Sequence, residues 1–566
     1  MSRKMTVVLS MAALLLVVIG YLIGQDDGEE QADNDTEFSA DDGEDGGQVD
    51  FDGDVGVSTS HPLAQEVGEE VLQDGGNAVD AAIAISLALG VVEPFGSGIG
   101  GGGAMLILDD PSETPHYYDY REMSPSVENN EDVINFAGTP GFLKGMDQIH
   151  EDHGSLDMER LVNPSIELAE EGFDVDPMLA NRLFYAGTLE DPDGRIDQSA
   201  AEPFYPNDRP IREGEPLEQP DLAETLTHLR DHGFEEFYTG QLASEIAAED
   251  TSSITEEDLA AYEVLDEEEP ASGEFYGHQV YSSAPPTSGV TFIQMLQMAE
   301  QLQVGDVEPD SASFAHLFTE IKKQAYSDRL SEIGDPSHTD INTNELTSEE
   351  WTNQLANEIN SSQVSMGMDQ LDAPAEINDH SNTTHIVVVD DEGRMVSATN
   401  TLSNFFGSGQ MTEAGFFLNN QMSNFAESET SPNAYEPHKR ARSFIAPSII
   451  ISDDQQEVMG IGSPGGRRIP QILSQVIINT ERFNDIDEAM EYPRFVHEED
   501  DITEEDQIQM EGSWGDDESR AELQEYGYNT IENEDTSVFF GGIIDLTVNH
   551  EEGTVESAED QRRVLD

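Results

Sequence analysis

About two-thirds of the way along the chain, the sequence reads Asn382-Thr383-Thr384-His385-Ile386-Val387-Val388-Val389. Cleavage of the peptide bond between Asn382 and Thr383 would leave Thr383 with a free α-amine beside its own hydroxyl. An α-amine has a pKa of about 7.7–8.0, so part of it is unprotonated at neutral pH and can take the hydroxyl proton. The same residues are also typical of the start of a buried strand. The stretch therefore predicts a buried strand and leaves open whether that strand begins with a nucleophile.

The chain is strongly acidic. It has 119 Asp and Glu residues against 24 Lys and Arg residues, which gives a formal net charge of −95. A nucleic-acid partner is excluded on electrostatic grounds, because phosphate contacts need Lys and Arg. Acidic clusters recur within the body of the chain, at 498–501 and 504–506, so an acidic interaction tail explains only the N-terminal stretch. Self-repulsion on this scale destabilises a compact state unless molar salt reduces the Debye length to about 3 Å, and we therefore expect a halophilic protein.

The sequence contains no cysteine and no His-Glu-x-x-His pattern. A disulfide framework, a thiolate nucleophile and a Cys-ligated zinc site are therefore excluded. We expect neither a metal ion nor another cofactor.

The N-terminal segment has the pattern of a membrane-targeting sequence. Arg3 and Lys4 precede an apolar run over residues 5–24, whose length at about 1.5 Å per helical residue spans a hydrocarbon core of about 30 Å. Basic residues before this run and acidic residues after it predict a single-pass protein of the cell membrane, with the body of the chain outside. The alternative is a signal peptide whose cleavage releases a secreted protein. Residues 25–55 are rich in Asp, Glu and Gly without Lys or Arg, and we expect a disordered tether.

The rest of the chain predicts one large domain that contains both helices and strands. Residues 61–92 have the pattern of two helices separated by Gly75-Gly76. Buried-strand patterns occur at 104–108, 386–389 and 541–546, and helical patterns occur at 158–171, 220–230 and 312–328. Strands and helices that alternate, followed by a strand-rich segment, indicate sheets packed between helices.

Gly96-Ser97-Gly98-Ile99-Gly100-Gly101 matches the pattern G-x-G-x-x-G. A dinucleotide-binding site would require a strand before these glycines and a helix after them. Here a helical pattern precedes the glycines and a strand pattern follows them. We therefore expect a tight packing loop at this position.

Ten short motifs are spread in order from residue 56 to the C-terminus. They are Ser60-His61-Pro62-Leu63-Ala64, Gly75-Gly76-Asn77-Ala78-Val79-Asp80-Ala81-Ala82, Gly90-Val91-Val92-Glu93-Pro94, Gly98-Ile99-Gly100-Gly101-Gly102, Tyr120-Arg121-Glu122-Met123-Ser124-Pro125, Gly138-Thr139-Pro140-Gly141, Ala284-Pro285-Pro286-Thr287-Ser288-Gly289, Asp328-Arg329 with Gly334-Asp335-Pro336, Leu418-Asn419-Asn420-Gln421-Met422 and Gly462-Ser463-Pro464-Gly465-Gly466. Together with the threonine pair, they resemble the γ-glutamyltransferase (glutathione hydrolase) family in the same order.

This resemblance implies a four-layer αββα sandwich of the N-terminal-nucleophile hydrolase type, an α/β (α+β) fold. It implies a proenzyme that cleaves itself between Asn382 and Thr383, so that residues 56–382 and 383–566 form a heterodimer of the chain's own two fragments. Thr383 would then carry a γ-glutamyl group as an acyl-enzyme and pass it to water, an amino acid or a peptide.

Two further features support acyl-transfer chemistry. Ser463-Pro464-Gly465-Gly466 offers two successive backbone N–H groups with no side chain in the way, as stabilisation of an oxyanion requires. Such a sequence also occurs in ordinary turns, and it is the resemblance that assigns Gly465 and Gly466 to the oxyanion hole. By the same resemblance, Thr401 hydrogen-bonds the nucleophile and helps processing, whereas alone it would be an exposed strand threonine.

A γ-glutamyl donor carries an α-carboxylate and an α-ammonium, so its binding site must satisfy both charges. Arg121 matches the family's carboxylate-binding arginine, and a guanidinium can bind a carboxylate through two hydrogen bonds. Gln421 and Ser443 also match binding positions of the family.

Three positions depart from the family pattern. This chain has Ser403 where Asn or Glu is common, Asn424 where the family has Asp, and Phe444 where it has a second serine. The amide of Asn424 can accept a hydrogen bond but supplies no charge opposite the substrate ammonium, and charge-assisted bonds are about twice as strong. These departures leave the chemistry intact and put the donor specificity in question.

The sequence supports three interpretations. The first is a γ-glutamyl hydrolase or transpeptidase that acts on glutathione-like donors. The second is an amidase of the same mechanism for donors without a free α-ammonium, such as glutaryl amides or poly-γ-glutamate. The third is a non-catalytic surface relative, against which the presence of Thr383, Thr401, Gly465 and Gly466 argues.

Overall fold

In the computed structural model, the apolar run after the threonine pair belongs to a strand that has hydrogen-bonded neighbours on both sides. The structure describes residues 55–187, 196–250, 252–266, 269–365, 383–499 and 506–563. The strands are β1 Gly56–Thr59, β2 Gly102–Leu108, β3 His116–Asp119, β4 Phe173–Asp174, β5 Pro216–Leu217, β6 Ala271–Phe275, β7 His278–Ser282, β8 Thr383–Val389, β9 Met395–Thr401, β10 Ser448–Ile451, β11 Glu457–Gly462, β12 Phe495–Glu499, β13 Asp506–Glu511, β14 Asn529–Asn533, β15 Ile544–Asn549 and β16 Thr554–Glu556.

The α-helices fall into two groups, a first helix group that ends at Ala260 and a second helix group that begins at Gly289. They are α1 Pro62–Gln73, α2 Ala78–Val92, α3 Phe142–His153, α4 Met158–Glu171, α5 Pro177–Ala186, α6 Ala201–Phe204, α7 Pro220–His232, α8 Glu236–Thr239, α9 Gln241–Ala248, α10 Glu256–Ala260, α11 Gly289–Gln301, α12 Ala312–Glu332, α13 Thr343–Leu346, α14 Glu349–Glu358, α15 Ile469–Phe483, α16 Ile486–Glu491 and α17 Asp517–Tyr526.

Two antiparallel sheets form the centre of the fold. Sheet A has the strand order β1-β8-β9-β2-β3, and sheet B has the order β16-β15-β11-β10-β7-β6. Two smaller sheets, β12-β13-β14 and β4-β5, lie outside this pair. Strands distant in sequence, such as β1 and β8, are therefore neighbours in space.

The strand β8 explains why the two sheets stack. Val387 and Val389 on one face pack with Ile449 and Leu546 of sheet B, in a core between the sheets. The alternate residue Ile386 packs on the other face, in the core formed with the first helix group. Because β8 is buried on both faces, its sequence is a continuous apolar run.

The outer face of sheet B is covered by the second helix group. Ile450 and Ile461 of this sheet share a core with α11, α12 and α15. The order of layers is thus helices, sheet A, sheet B and helices, which confirms the predicted four-layer αββα arrangement. The described residues all lie in one compact unit, Gly46–Asp566.

The predicted elements are confirmed with one partial exception. The helices expected at 158–171, 220–230 and 312–328 are Met158–Glu171, Pro220–His232 and Ala312–Glu332. The pattern at 541–546 was only partly correct as a strand, because β15 begins at Ile544. Gly541 follows a 3-10 turn over Val538–Phe540 and has a φ of +94°. A strand residue has a negative φ, so Gly541 does not belong to β15.

The glycine-rich loop between α2 and β2 serves close packing. A Cβ on Gly100 would lie 2.1 Å from the carbonyl oxygen of Phe417, and one on Gly101 would lie 2.3 Å from that of Thr401. A helix precedes this loop and a strand follows it, so its order is the reverse of a dinucleotide-binding loop.

The membrane prediction requires correction. Within the ranges that the structure describes, no helix is both long enough and apolar enough to cross a membrane. This finding contradicts the expectation of a single-pass protein of the cell membrane. The apolar run over 5–24 and the acidic residues 25–54, on which that expectation depended, lie outside the described residues.

Candidate active site

Three strands end side by side at the edge of sheet A that carries Thr383. Thr383 of β8 pairs with Thr401 of β9, which in turn pairs with Gly102 of β2. Residues directly opposite on neighbouring strands have Cβ atoms about 4.5–5.5 Å apart, so the two threonine side chains lie together on one face. A Cβ on Gly102 would lie 2.7 Å from the Cα atom of Arg121, so glycine allows Arg121 to approach this edge. The sheet register thus pairs Thr383 with Thr401, and the backbone of Arg121 lies against Gly102 at the same edge.

Thr383 faces sheet B. Alternate residues of a strand point to the same face, and Val387 of this series packs between the two sheets. His385 belongs to the same series, and a Cβ on Gly462 of β11 would come within 2.2 Å of its ring. Burial lowers the pKa of His385 to about 3. The imidazole is therefore neutral, and it packs between the sheets two residues from Thr383.

The Thr383 hydroxyl is buried and makes no hydrogen bond to any residue in the described ranges. Thr401 Oγ1 accepts a hydrogen bond from the backbone N–H of Ser403 at 2.9 Å. No hydrogen bond joins the two threonine hydroxyls in the described structure, because Thr383 Oγ1 has no partner there. A buried hydroxyl without a partner costs about 1–3 kcal/mol, so Thr383 is not explained as a residue that stabilises the strand.

The predicted oxyanion residues form a tight turn between β11 and α15. Gly465 has a φ of +143° and Gly466 a φ of +53°, values in the left-handed region that favours glycine. Neither of their N–H groups donates to another residue that the structure describes. Because β11 packs opposite β8 and β9, this turn lies on the sheet-B side of the site and Thr383 on the sheet-A side.

Arg121 is buried and already engaged. Its Nε and Nη2 atoms donate to the Asp119 carboxylate at 3.1 and 2.6 Å, and Nη1 donates to the carbonyl of Ala441 at 2.9 Å. A guanidinium has five N–H donors, so these three bonds leave two for a ligand. Asp119 fixes the orientation of the arginine, and sequence reasoning did not identify that partner. The assignment of Arg121 to carboxylate binding stays a prediction.

Two of the departures from the family pattern contact each other. Asn424 Nδ2 donates to Ser403 Oγ at 3.3 Å, and Ser403 has a φ of +76°. The Asn424 Oδ1 atom is buried and has no hydrogen-bond partner among the described residues. The Gln421 amide likewise donates but does not accept. Its Nε2 donates to the Arg442 carbonyl at 3.2 Å, while its buried Oε1 has no described partner. These oxygens are available to accept hydrogen bonds from a ligand.

Ser443 and Phe444 are positioned by the second helix group. The Ser443 carbonyl accepts a hydrogen bond from Arg329 Nη2 at 2.6 Å. The Arg329 guanidinium lies 4.6 Å from the centroid of the Phe444 ring, and Tyr326 stacks on the same ring at 5.9 Å. The Phe444 ring thus has a cation and a second aromatic ring against it, at a position where the family resemblance predicts a second serine.

Sequence reasoning assigned no role to Arg329 or Glu122, although both belong to quoted motifs. Burial holds the pKa of Arg329 well below its ordinary value, and the neighbouring Arg442 acts in the same direction. Glu122 is fully buried, both of its carboxylate oxygens are without a hydrogen-bond partner in the described structure, and burial raises its pKa to about 7. The adjacency of Arg121 and Glu122 was the one available signal.

Asn382 and the rest of 366–382 lie outside the described residues, so the scissile bond is not described. Among the residues that are described, no group of three or more His, Asp or Glu side chains is arranged to hold a metal ion.

The fold agrees with comparisons to known proteins. A family model described as gamma-glutamyltranspeptidase matches residues 64–565. The chain is 41% identical over 512 residues to the capsule biosynthesis protein CapD proenzyme of Bacillus anthracis, with 90% of each chain covered. It is 33% identical over 479 residues to the glutathione hydrolase proenzyme of Escherichia coli (strain K12), covering 78% of this chain and 80% of that relative. The crystal structure of a cephalosporin acylase from Bacillus halodurans superposes with a TM-score of 0.78 at 25% identity, over 94% of this chain and 97% of that one.

Proposed function

We propose a function on the premise that this chain belongs to the γ-glutamyltranspeptidase family, which the match over residues 64–565 shows. The protein is an autoprocessed γ-glutamyl hydrolase or transpeptidase whose nucleophile is Thr383. The observation that carries this proposal is the Thr383 hydroxyl. It is buried, has no described partner and lies opposite Thr401 at the start of β8.

The first step is cleavage of the chain itself. Thr383 Oγ attacks the Asn382 carbonyl carbon, the Asn382–Thr383 C–N bond breaks, and the nitrogen takes the proton and becomes an amine. Water then hydrolyses the ester, which leaves an Asn382 carboxylate and restores the Thr383 hydroxyl. The products are the fragments 1–382 and 383–566, which remain together because β8 is paired with β1 on one side.

The second step is acyl transfer from a donor. The α-amine of Thr383 takes the hydroxyl proton while Oγ attacks the γ-carbonyl carbon of the donor. The amine delivers that proton to the leaving amino group, the donor amide bond breaks, and a γ-glutamyl ester of Thr383 remains. Water or the amino group of an amino acid or peptide then attacks the ester, and Thr383 is regenerated.

The N–H groups of Gly465 and Gly466 stabilise the negative oxygen of each tetrahedral intermediate. They suit this role because neither donates to another described residue, and because the turn follows β11, the strand of sheet B that packs against β8 and β9. Each such donor contributes roughly 2.7–4 kcal/mol to catalysis.

The donor is held by the loops around the strand ends. Arg121 binds the α-carboxylate through the N–H groups that Asp119 and Ala441 leave available. The free acceptor oxygens of Gln421 and Asn424, with Ser403 beside them, receive the α-ammonium. Ser443 and Phe444 form the wall on the carboxylate side.

A second candidate function follows from the same pocket. Because Asn424 supplies no negative charge, donors that lack the α-ammonium, such as glutaryl amides, lose less here than in a site with aspartate. The structural likeness to a cephalosporin acylase favours this amidase activity as the alternative.

The acidic composition adds a condition to both functions. With a formal net charge of −95, the protein is halophilic and needs concentrated salt to stay folded. Activity is therefore expected in molar salt.

The test is a steady-state comparison of a γ-glutamyl anilide with the matching glutaryl anilide in molar salt. A higher kcat/KM for the γ-glutamyl anilide supports the first function, and a higher value for the glutaryl anilide supports the amidase. A folded, cleaved protein that turns over neither compound contradicts both. Addition of a dipeptide acceptor distinguishes transpeptidation, which yields a γ-glutamyl dipeptide, from hydrolysis.

A further inference from the structure

Tyr326 of α12 contacts both sides of the candidate site, yet the proposed chemistry gives it no role. Its hydroxyl donates a hydrogen bond to the carbonyl of Arg467, the residue after Gly466. Its ring stacks on Phe444, with 5.9 Å between the centroids and an angle of 28° between the planes. One side chain thus joins the turn at Gly465-Gly466, here called the glycine turn, to the Phe444 wall of the donor pocket.

The hydrogen bond from the Tyr326 hydroxyl acts on the glycine turn through two linked peptide planes. The carbonyl of Arg467 and the N–H of Arg468 belong to the same planar group. That N–H donates to the carbonyl of Gly465 at 3.1 Å, and this carbonyl shares its own peptide plane with the Gly466 N–H. A bond from Tyr326 to the first plane therefore restrains the orientation of the second, which carries an oxyanion donor.

The ring of Tyr326 acts on the other side. Phe444 has the Arg329 guanidinium 4.6 Å from its centroid as well as the tyrosine ring. Arg329 is itself held by the carbonyls of Thr287 and Ser443, at 3.1 and 2.6 Å. With both contacts in place, the Phe444 ring has little freedom to move.

Tyr326 is in turn held by buried polar groups. Lys322 Nζ lies 4.6 Å from the centroid of the tyrosine ring and 3.3 Å from His497 Nδ1. His497 Nε2 lies 2.8 Å from the Asp506 carboxylate. Burial lowers the pKa of His497 to about 3, so the neutral ring donates from Nε2 to Asp506 and accepts from Lys322 at Nδ1. This orders Lys322 against the ring.

We propose that Tyr326 is a positioning residue, which orients the Gly466 N–H through its hydroxyl and fixes the Phe444 wall through its ring. The inference rests on the proposed function, because it needs an oxyanion at the glycine turn and a donor against Phe444. The two contacts predict separable effects, since the hydroxyl acts on the transition state and the ring acts on donor binding.

The test uses two variants and one matched control in molar salt, with a γ-glutamyl anilide as donor. Tyr326→Phe keeps the ring and removes the hydroxyl, so kcat should fall about five- to tenfold while KM stays within twofold. This fall is smaller than the 10²–10³-fold loss for deletion of a whole oxyanion donor, because the N–H is misdirected but still present. Phe444→Leu keeps the hydroxyl bond and should raise KM at least threefold, with kcat within twofold.

Tyr238→Phe is the matched control. This buried hydroxyl also donates to a backbone carbonyl, that of Pro140 at 3.1 Å, but it lies in the first helix group. Its kcat and KM should equal those of the wild type.

Several results would overturn the inference. Wild-type kcat in Tyr326→Phe, an effect of that variant on KM alone, or an equal loss of kcat in Tyr238→Phe would each do so. If Tyr326→Phe proves less stable than the control, Phe444→Leu decides, and a loss of kcat there without a change in KM contradicts the separation. Failure of the proposed function itself is recognised separately, because the wild type would then turn over neither anilide.

Discussion

The strand ends of the candidate site and the loops around them differ in how closely they keep the family pattern. At the strand ends, Thr383 and Thr401 face each other in register, and Gly465 and Gly466 form the turn that follows β11. In the loops, Ser403, Asn424 and Phe444 all depart from the pattern, and the first two contact each other. The three departures therefore all lie outside the strands of the two central sheets.

This difference has a physical basis. A residue at the end of a central strand is fixed by the ladder on both sides and by a core on each face, so few side chains meet its requirements. Loop residues are held by a few side-chain bonds and can exchange without disturbing the sheets. We infer that the strand ends determine the reaction and that the loops determine which donor is accepted.

The largest expected effect is at the nucleophile. Thr383→Ala should leave a single uncleaved chain and reduce kcat/KM by at least 10³-fold, because no hydroxyl is available for either step. Denaturing electrophoresis should show fragments 1–382 and 383–566 for the wild type and one band for the variant.

Thr384→Ala is the matched control for that experiment. This neighbouring hydroxyl is also buried without a described partner, but it points to the opposite face of β8. The control should cleave and turn over substrate normally. Cleavage of Thr383→Ala at the same bond would show that the strand end does not supply the nucleophile.

Lowering the salt concentration tests whether the strand ends and the loops of the site lose their structure together. Transfer from molar salt to tens of millimolar should unfold the protein, since the repulsion of a formal charge of −95 is then poorly screened. The circular dichroism signal of the folded protein and the enzymatic activity should be lost together. An unchanged melting temperature in dilute buffer would contradict the halophilic proposal, and loss of donor selectivity alone would separate the loops from the strands.

Glu122 offers a pH test beside the strand ends. Burial raises its pKa from 4.5 to about 7, so folding favours the protonated form. The contribution of this group to stability is full below about pH 4.5 and is lost as the pH rises to about 7. The loss approaches about 3 kcal/mol, because one pKa unit corresponds to about 1.36 kcal/mol.

Glu122→Gln should therefore be more stable than the wild type at pH 8 and equal to it near pH 4. Denaturant unfolding at both pH values measures the difference. Glu128→Gln, which makes the same substitution at an exposed position of the same loop region, is the control variant. Equal stabilities of Glu122→Gln and the wild type at pH 8 would mean that the carboxyl is ionised at no cost.

Much of the fold could be predicted from local sequence. The run Ile386–Val389 identifies a strand that is buried on both faces, and Asn77 begins α2 with a capping box after the Gly75-Gly76 break. The pattern at 541–546 misled, because the apolar composition there continues from a turn at Gly541 into β15.

The sequence proposes residues for the candidate site but does not predict their contacts. Arg121 is such a candidate, and its bond to the Ala441 carbonyl could not be predicted because Ala441 is distant in sequence and no local pattern indicates the contact. The sequence also gave no sign that Ser403 and Asn424 meet, because the φ of +76° at Ser403 depends on loop packing.

The smallest expected effect concerns Asn424 and tests the loops directly. Asn424→Asp should favour γ-glutamyl over glutaryl anilide by about tenfold in the ratio of kcat/KM values, because a charged hydrogen bond replaces a neutral one, worth roughly 1–1.5 kcal/mol. The new carboxylate loses the Nδ2 donor to Ser403, but the Ser403 hydroxyl can reverse and donate to it. Cleavage of the chain should be unaffected.

Ser423→Asp provides the control for this last prediction, because it adds the same charge one residue away. The Ser423 hydroxyl donates to the Asn420 carbonyl, so its side chain is directed toward the loop backbone. If the charge acts only at the ammonium position, this control should leave the donor ratio unchanged. Equal shifts in both variants would indicate a general effect of charge. No shift in Asn424→Asp would mean that Asn424 does not face the ammonium, and the donor preference would then depend on Phe444 and its contacts with Tyr326 and Arg329.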